Sequence, residues 1–235
     1  DNASSRGLGD VYKRQWILCP IIAGVIAMGL FTFTKRVILN RKLHILRLDA
    51  YTRTALLLAG AFGAYSLGAN YIANVMGVFV PISPFTDVTI GNLFVFSSKE
   101  QLFLLGGLAI AVGVFTYSKR VMFTVGNDLL KMTPVAAFIV VISHSIVLFL
   151  FASQGISAFL QSINLPSIPL VPVSSSQAVV GGVIGIGLLK GGKEVQWSIA
   201  GRISLGWMTL PVIAALISLI VLFIIENIFN LKVSF

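Results

Sequence analysis

The runs 16–34, 54–80, 101–118, 133–160 and 171–189 contain no Asp, Glu, Lys or Arg, and 203–229 contains only Glu226, near its end. Each is close to or beyond the ~20 apolar residues that a helix needs to cross a bilayer. Inside hydrocarbon every backbone N–H and C=O must be satisfied by the protein itself, which a helix does within its own segment. The expected fold class is therefore all-α, a polytopic transmembrane helical bundle.

Composition agrees. Only 11% of the 235 residues are charged and 57% are hydrophobic, against about 25% charged in soluble domains. The net charge of +9 would suit nucleic acid if it were clustered on a folded surface. Instead the basic residues occupy short connections between apolar runs, as in cytoplasmic loops of membrane proteins. Nucleic acid is excluded as a partner. One cysteine, Cys19, excludes an intramolecular disulfide framework. Residues 1–15 resemble adapter-derived, non-native sequence and have no apolar core of the kind a signal peptide needs. They are set aside, and the chain proper is expected to begin mid-protein near Trp16.

Residues 16–34 form the first span. The connection 35–53 carries Lys35, Arg36, Arg41, Lys42, Arg47 and Arg53 against Asp49, which places it on the cytoplasmic side. The run 54–80 leads outward and is interrupted at Gly68-Ala69-Asn70, Asn74 and Gly77. Residues 81–100, with Pro81, Pro84, Asp87, Asn92 and Glu100, make a polar outer connection. The span 101–118 returns inward to Lys119, Arg120 and Lys131, and 133–160 leads out again with Ser143-His144-Ser145 at its middle. Pro166 and Pro169 break the chain there, since each removes a donor and restricts its predecessor. The runs 171–189 and 203–229 complete five membrane-crossing or re-entrant segments after the basic linker.

Trp16-Ile17-Leu18-Cys19-Pro20-Ile21-Ile22-Ala23 matches Trp207-Met208-Thr209-Leu210-Pro211-Val212-Ile213-Ala214 in its Trp, Pro, second Ile and Ala. An odd number of segments between copies inverts the second, and inverted repeats are typical of secondary transporters. On this reading 16–34 is the last helix of a truncated first repeat and 54–230 is the second repeat.

Three polar groups interrupt the apolar runs. Pro172-Val173-Ser174-Ser175-Ser176-Gln177 opens a glycine-rich run through Gly181, Gly182, Gly185 and Gly187. Serine after proline caps a helix start, and the same free N–H groups attract an anion. Asn70 and Asn74, four apart, share a helix face. They read either as an interhelical clamp or, with Gly68, as a broken helix that binds a cation. His144 is either a buried, bonded histidine or a functional group, the default for an ionisable residue inside a span. No carboxylate joins these groups: Asp49, Asp87, Glu100, Asp128, Glu194 and Glu226 lie in loops or near span ends. Neither a nucleophile elbow nor metal-ligand spacing is present, so no catalytic residue, metal or enzymatic activity is expected.

At two of these motifs the chain resembles the inorganic phosphate transporter family, which includes phosphate and sulfate permeases. Gly68-Ala69-Asn70-Tyr71-Ile72-Ala73-Asn74 is similar to that family's G-A-N-D-V-A-N signature, and Pro172-Val173-Ser174-Ser175-Ser176-Gln177 to its P-V-S-T-T-H. Thr124-Val125-Gly126 through Thr133-Pro134, with Trp207 and Pro211, look like its second half, so the likeness covers roughly 16–230. The resemblance implies two inverted repeats around one site, with broken helices or a re-entrant hairpin. It implies Ser174, Ser175, Ser176, Gln177, Asn70 and Asn74 as ligands to the anion, and Gly68, Asn70 and Asn74 as ligands to a co-transported Na⁺ or H⁺, with no other cofactor. Tyr71 stands where the family has Asp, Gln177 where it has His, and the loop Ser153–Val171 is longer.

The expected function is secondary active transport of inorganic phosphate in a bacterial or archaeal plasma membrane, among lipid. The missing first repeat, or further copies of the chain, would be partners. The alternatives are a sulfate permease on the same scaffold and a membrane protein that no longer transports.

Overall fold

The computed structural model describes residues 2–39, 45–90, 94–165, 168–170 and 172–229. Seven α-helices account for most of them: α1 (Asn2–Thr34), α2 (Ile45–Gly77), α3 (Ser98–Phe123), α4 (Pro134–Ala152), α5 (Gln154–Ser162), α6 (Ser175–Leu189) and α7 (Trp197–Phe229). Among the described residues α1, α2, α3, α4 and α7 are each long and apolar enough to cross a membrane; α6 is apolar but shorter. The expected all-α bundle is what forms. The chain divides into two compact units, residues 1–195 and 196–235. The second is α7, whose Pro211 lies inside a helix of 33 residues, just as Pro20 lies inside the 33-residue α1.

In the first unit α1 packs on α6, α2 on α4, and α4 on both α1 and α6. Neighbouring side chains fix the helix directions. A Cβ built on Gly24 would touch Gly181 and Gly185, and one on Gly181 would collide with the backbone of Pro20. Positions therefore rise together, and α1 and α6 run parallel. Gly63 faces Ser145 while Asn70 reaches Leu148, so α2 and α4 are parallel to each other as well. Gly182 meets both Ala27 and Val140, and Val173 clusters with Cys19, Ala23, Val147, Leu148 and Phe151. That makes α4 antiparallel to α1 and α6. The alternation inferred from basic loops is thus present in the packing. Phe31, Leu48, Asp49, Thr133, Val135 and Lys190 line one pocket, which brings the end of α1, the starts of α2 and α4 and the end of α6 to one side.

Local chemistry sets the helix ends. Thr133 caps α4, its hydroxyl accepting from the Ala136 N–H at 3.3 Å, with Pro134 at the first turn where its missing N–H is not needed. Ser97 and Glu100 form a reciprocal capping box at α3, Ser97 N–H donating to Glu100 Oε2 at 2.8 Å and Glu100 N–H to Ser97 Oγ at 3.3 Å. Gly191 and Gly192, with φ of 92° and 74°, end α6 in the left-handed region that glycine enters without a Cβ penalty.

Four expectations change. Helix α2 runs unbroken from Ile45 to Gly77, so Gly68–Asn74 is not an interruption. Packing against α4 holds the helix through Gly68, whose cost of about 1 kcal/mol relative to Ala is within what tertiary contact overrides. The basic linker is also shorter than 35–53, because 45–53 is already helix, with Arg53 and Asp49 paired at 2.9 Å. Between α2 and α3 lies a two-stranded antiparallel hairpin, β1 (Val88–Ile90) with β2 (Phe94–Phe96), pairing Val88 with Phe96. Its anchor is Asp87, which accepts from the Ser98 N–H at 2.7 Å. Finally, 133–160 is two helices, because Ser153 leaves helical geometry and caps α5 through the Ile156 N–H. The break that does exist lies after α5, where the chain turns at Asn164 (φ 56°) and returns to α6.

Candidate functional site

The start of α6 is set deep within the bundle. His144 sits at the middle of the 19-residue α4, and its Nε2 is 2.8 Å from Ser175 Oγ, the first helical residue of α6. The chain after α5 therefore re-enters to the mid-level of α4 before becoming helical. Such irregular backbone is tolerated at that depth only where the protein satisfies its polar groups.

It does so from three helices. Asn70 of α2, 3% exposed, accepts from the Val173 N–H through Oδ1 at 3.2 Å and donates from Nδ2 to Leu148 O at 3.5 Å. The neighbouring Tyr71 Oη accepts from the Ser175 N–H at 2.8 Å. Ser174 is the N-cap: its hydroxyl accepts from the Gln177 N–H at 3.4 Å and lies 3.1 Å from Ser176 Oγ. Cys19 of α1 directs its thiol to Ser174 O at 3.6 Å. Backbone N–H groups of residues 173, 175 and 177 thus each meet a side-chain oxygen. These donors and the positive end of the α6 dipole make the place electropositive without a formal charge.

The predicted residues fare differently. Ser174, Ser175, Ser176 and Asn70 come together, and Gln177 is buried at the first turn. Gly68 stands apart, since a Cβ there would meet nothing within 4 Å. The side chain of Asn74 lies outside the described residues. Of the two readings of Asn70, the interhelical clamp is the one the contacts display. Two contributors stand outside that set. His144 is visible in sequence as an ionisable residue inside a span, but nothing there pairs it with Ser175. Tyr71 reads as a lost carboxylate, whereas the phenol supplies an acceptor to the α6 backbone and retains its own O–H as a donor.

A serine and a histidine at 2.8 Å also have the spacing of a nucleophile and its base. The orienting acid is missing: α1 beyond residue 16, α2 beyond Arg53, α4 and α6 contain no Asp or Glu. Ser143 and Ser145 do not help, for their hydroxyls donate to Ile139 O and Val141 O of their own helix, at 2.6 and 2.7 Å. Among the described residues no group of three His, Cys, Asp or Glu gathers to hold a metal ion. The arrangement is suited to binding an acceptor-rich, anionic solute.

The sequence profile of the "Phosphate transporter family" matches residues 44–218 and 162–234. A protein of Methanocaldococcus jannaschii whose name calls it a phosphate permease is 29% identical over 207 residues, covering 88% of this chain and 57% of the relative. A similarly named protein of Thermococcus kodakarensis is 27% identical over 210 residues, 89% of this chain and 48% of the relative. Sodium-dependent phosphate transporter 1 of Homo sapiens is 27% identical over 166 residues, 69% of this chain and 22% of the relative. The chain spans about half the length of the archaeal relatives, 57% and 48%. No solved structure matches it.

Proposed function

The chain belongs to the phosphate transporter family, and from that premise we propose that it forms part of a secondary active transporter that moves inorganic phosphate across a cell membrane, with the start of α6 as half of the anion site. The observation that carries the reading is the convergence at mid-span: Asn70 and Tyr71 of α2 and His144 of α4 meet a helix N-terminus that bears three serines.

Taking a multiply charged oxyanion out of water is costly unless its oxygens regain hydrogen bonds. The backbone N–H groups of 173, 175 and 177 already point at neutral oxygens. A phosphate oxygen placed there exchanges one acceptor for a stronger, charge-assisted one. Ser174, Ser175, Ser176 and Gln177 contribute hydroxyl and amide donors, and Asn70 and Asn74 further ligands to the anion. A co-transported cation, Na⁺ or H⁺, offsets the remaining charge; on the family pattern Gly68, Asn70 and Asn74 lie on its route. Alternating access moves one group of helices against another around this site. Nothing in the cycle breaks a covalent bond, so the protein works as a carrier and not as an enzyme.

The test is uptake of radiolabelled phosphate and radiolabelled sulfate into liposomes containing the protein, under imposed sodium or proton gradients. The reading predicts gradient-dependent accumulation of phosphate. Preference for sulfate would reassign the substrate on the same scaffold, and no gradient-dependent uptake of either anion would overturn transport.

A further inference from the structure

We propose that His144 is the proton-coupling residue of this transporter: it takes up a proton as the anion binds at Ser175 and releases it when the anion leaves. The inference rests on the anion-site reading above. It comes from the hydrogen-bond chain that links three helices, Tyr71 to the Ser175 backbone and Ser175 Oγ to His144 Nε2.

The chemistry of that chain has a direction. In the neutral imidazole, Nε2 can be the nitrogen with the lone pair, and the Ser175 hydroxyl hydrogen is then spent on it. In the imidazolium both ring nitrogens carry hydrogen, so Nε2 must donate and Ser175 Oγ must accept. The hydroxyl hydrogen of Ser175 is thereby freed to point at a phosphate oxygen. Protonation thus supplies one donor and one positive charge beside the anion. The step balances simply: a proton from outer water forms one N–H bond on the ring, and that bond breaks when the proton leaves to the inner side.

The surroundings leave His144 as the group able to do this. On α2 the titratable group facing it is Tyr71, and on α1 it is Cys19, whose thiol is directed to Ser174 O. Neither offers a nitrogen lone pair to a proton. Between Ser175 and Leu189, α6 contains no titratable residue, and on α4 the residues flanking His144 are Ser143 and Ser145. Charged residues lie beyond the apolar stretches of these helices: Asp128 and Lys131 precede α4, Lys190 pairs with Glu194 at 3.3 Å, and Arg53 pairs with Asp49 at 2.9 Å. Tyr71 in the place of the family's Asp takes from this repeat the carboxylate that a metal cation would use. A proton needs only a lone pair, which the neutral imidazole of His144 offers on the nitrogen facing Ser175.

Binding linkage is reciprocal, so a proton that tightens anion binding must itself be tightened by the anion. The chain has two histidines, His44 and His144. In a His44→Gln background, NMR of ring-labelled histidine reports His144 alone. The expected result is that saturating phosphate moves its titration upward by about one pH unit, a tenfold coupling. An unmoved titration would overturn the proposal, and this readout needs no change at His144 itself. In liposomes without sodium, His144→Gln should lose at least about tenfold of the uptake driven by an inward proton gradient, and its exchange of phosphate for phosphate, weakened with the anion site, should become flat with pH. Gradient-driven accumulation that survives the substitution, or uptake driven by sodium and indifferent to pH, would overturn the proposal and leave transport standing. Absence of exchange in the unsubstituted protein would instead overturn the transport reading, and the proposal with it.

Discussion

The two flanks of α6 are held in opposite ways. Against α1 the contact is backbone on backbone: Gly181 sits on Pro20, and a Cβ on Gly185 would lie 2.5 Å from Gly24 O. Against α2 and α4 the contact is polar and confined to the first residues, through Asn70, Tyr71 and His144. The difference separates support from function. Between apolar helices in lipid there is no hydrophobic gain, so close approach of small residues supplies the attraction. Such a seam fixes where α6 lies but presents nothing to a solute. The polar flank buries donors at a depth where each must be matched, so it persists only if the matching is nearly complete.

Substitutions can break this contrast from either side. The largest effect is expected at the seam. Gly181→Leu drives a side chain into the Pro20 backbone and should cost about 3 kcal/mol, the upper part of the usual overpacking range, measured as the unfolding midpoint in mixed micelles. A wild-type midpoint would mean that α1 and α6 are not packed as described. Next comes the polar flank. Asn70→Ala leaves the Val173 N–H without its acceptor and should cost about 1–3 kcal/mol, with phosphate affinity falling as well. The smallest effect is expected at Gly68→Ala. The helix is continuous there and the space is open, so stability should be unchanged or rise by up to about 1 kcal/mol, with uptake intact. Lost uptake at unchanged stability would show instead that α2 opens at Gly68 during the cycle.

Much of the architecture was legible in the residues because the bilayer leaves few options. Charge-free runs marked the spans, and Lys35, Arg47, Lys119, Lys131 and Lys190 marked one side, so the alternation later seen in the packing followed. Pro166 and Pro169 marked a break in the helix, and the described chain turns just before them at Asn164. Other features depended on tertiary register. The bond between His144 and Ser175 joins residues 31 apart across α5 and an irregular loop, and no sequence period encodes that meeting. Gly68 and Asn70 suggested an interrupted helix because glycine and asparagine favour one in isolation. Packing on α4 and the clamp from Asn70 to Leu148 O outweigh that tendency. Tyr71 was read as the absence of an acid, since a motif tells which residue is missing and not what the replacement bonds. The hairpin Val88–Phe96 is too short to announce itself by alternation.

The central claim is that the start of α6 binds the anion. Equilibrium binding of radiolabelled phosphate to the purified protein, compared with Ser175→Ala, tests it most directly. The account predicts affinity about tenfold weaker, equivalent to about 1.4 kcal/mol, with an unfolding midpoint close to that of the unsubstituted protein. Equal affinity in the two proteins would contradict it.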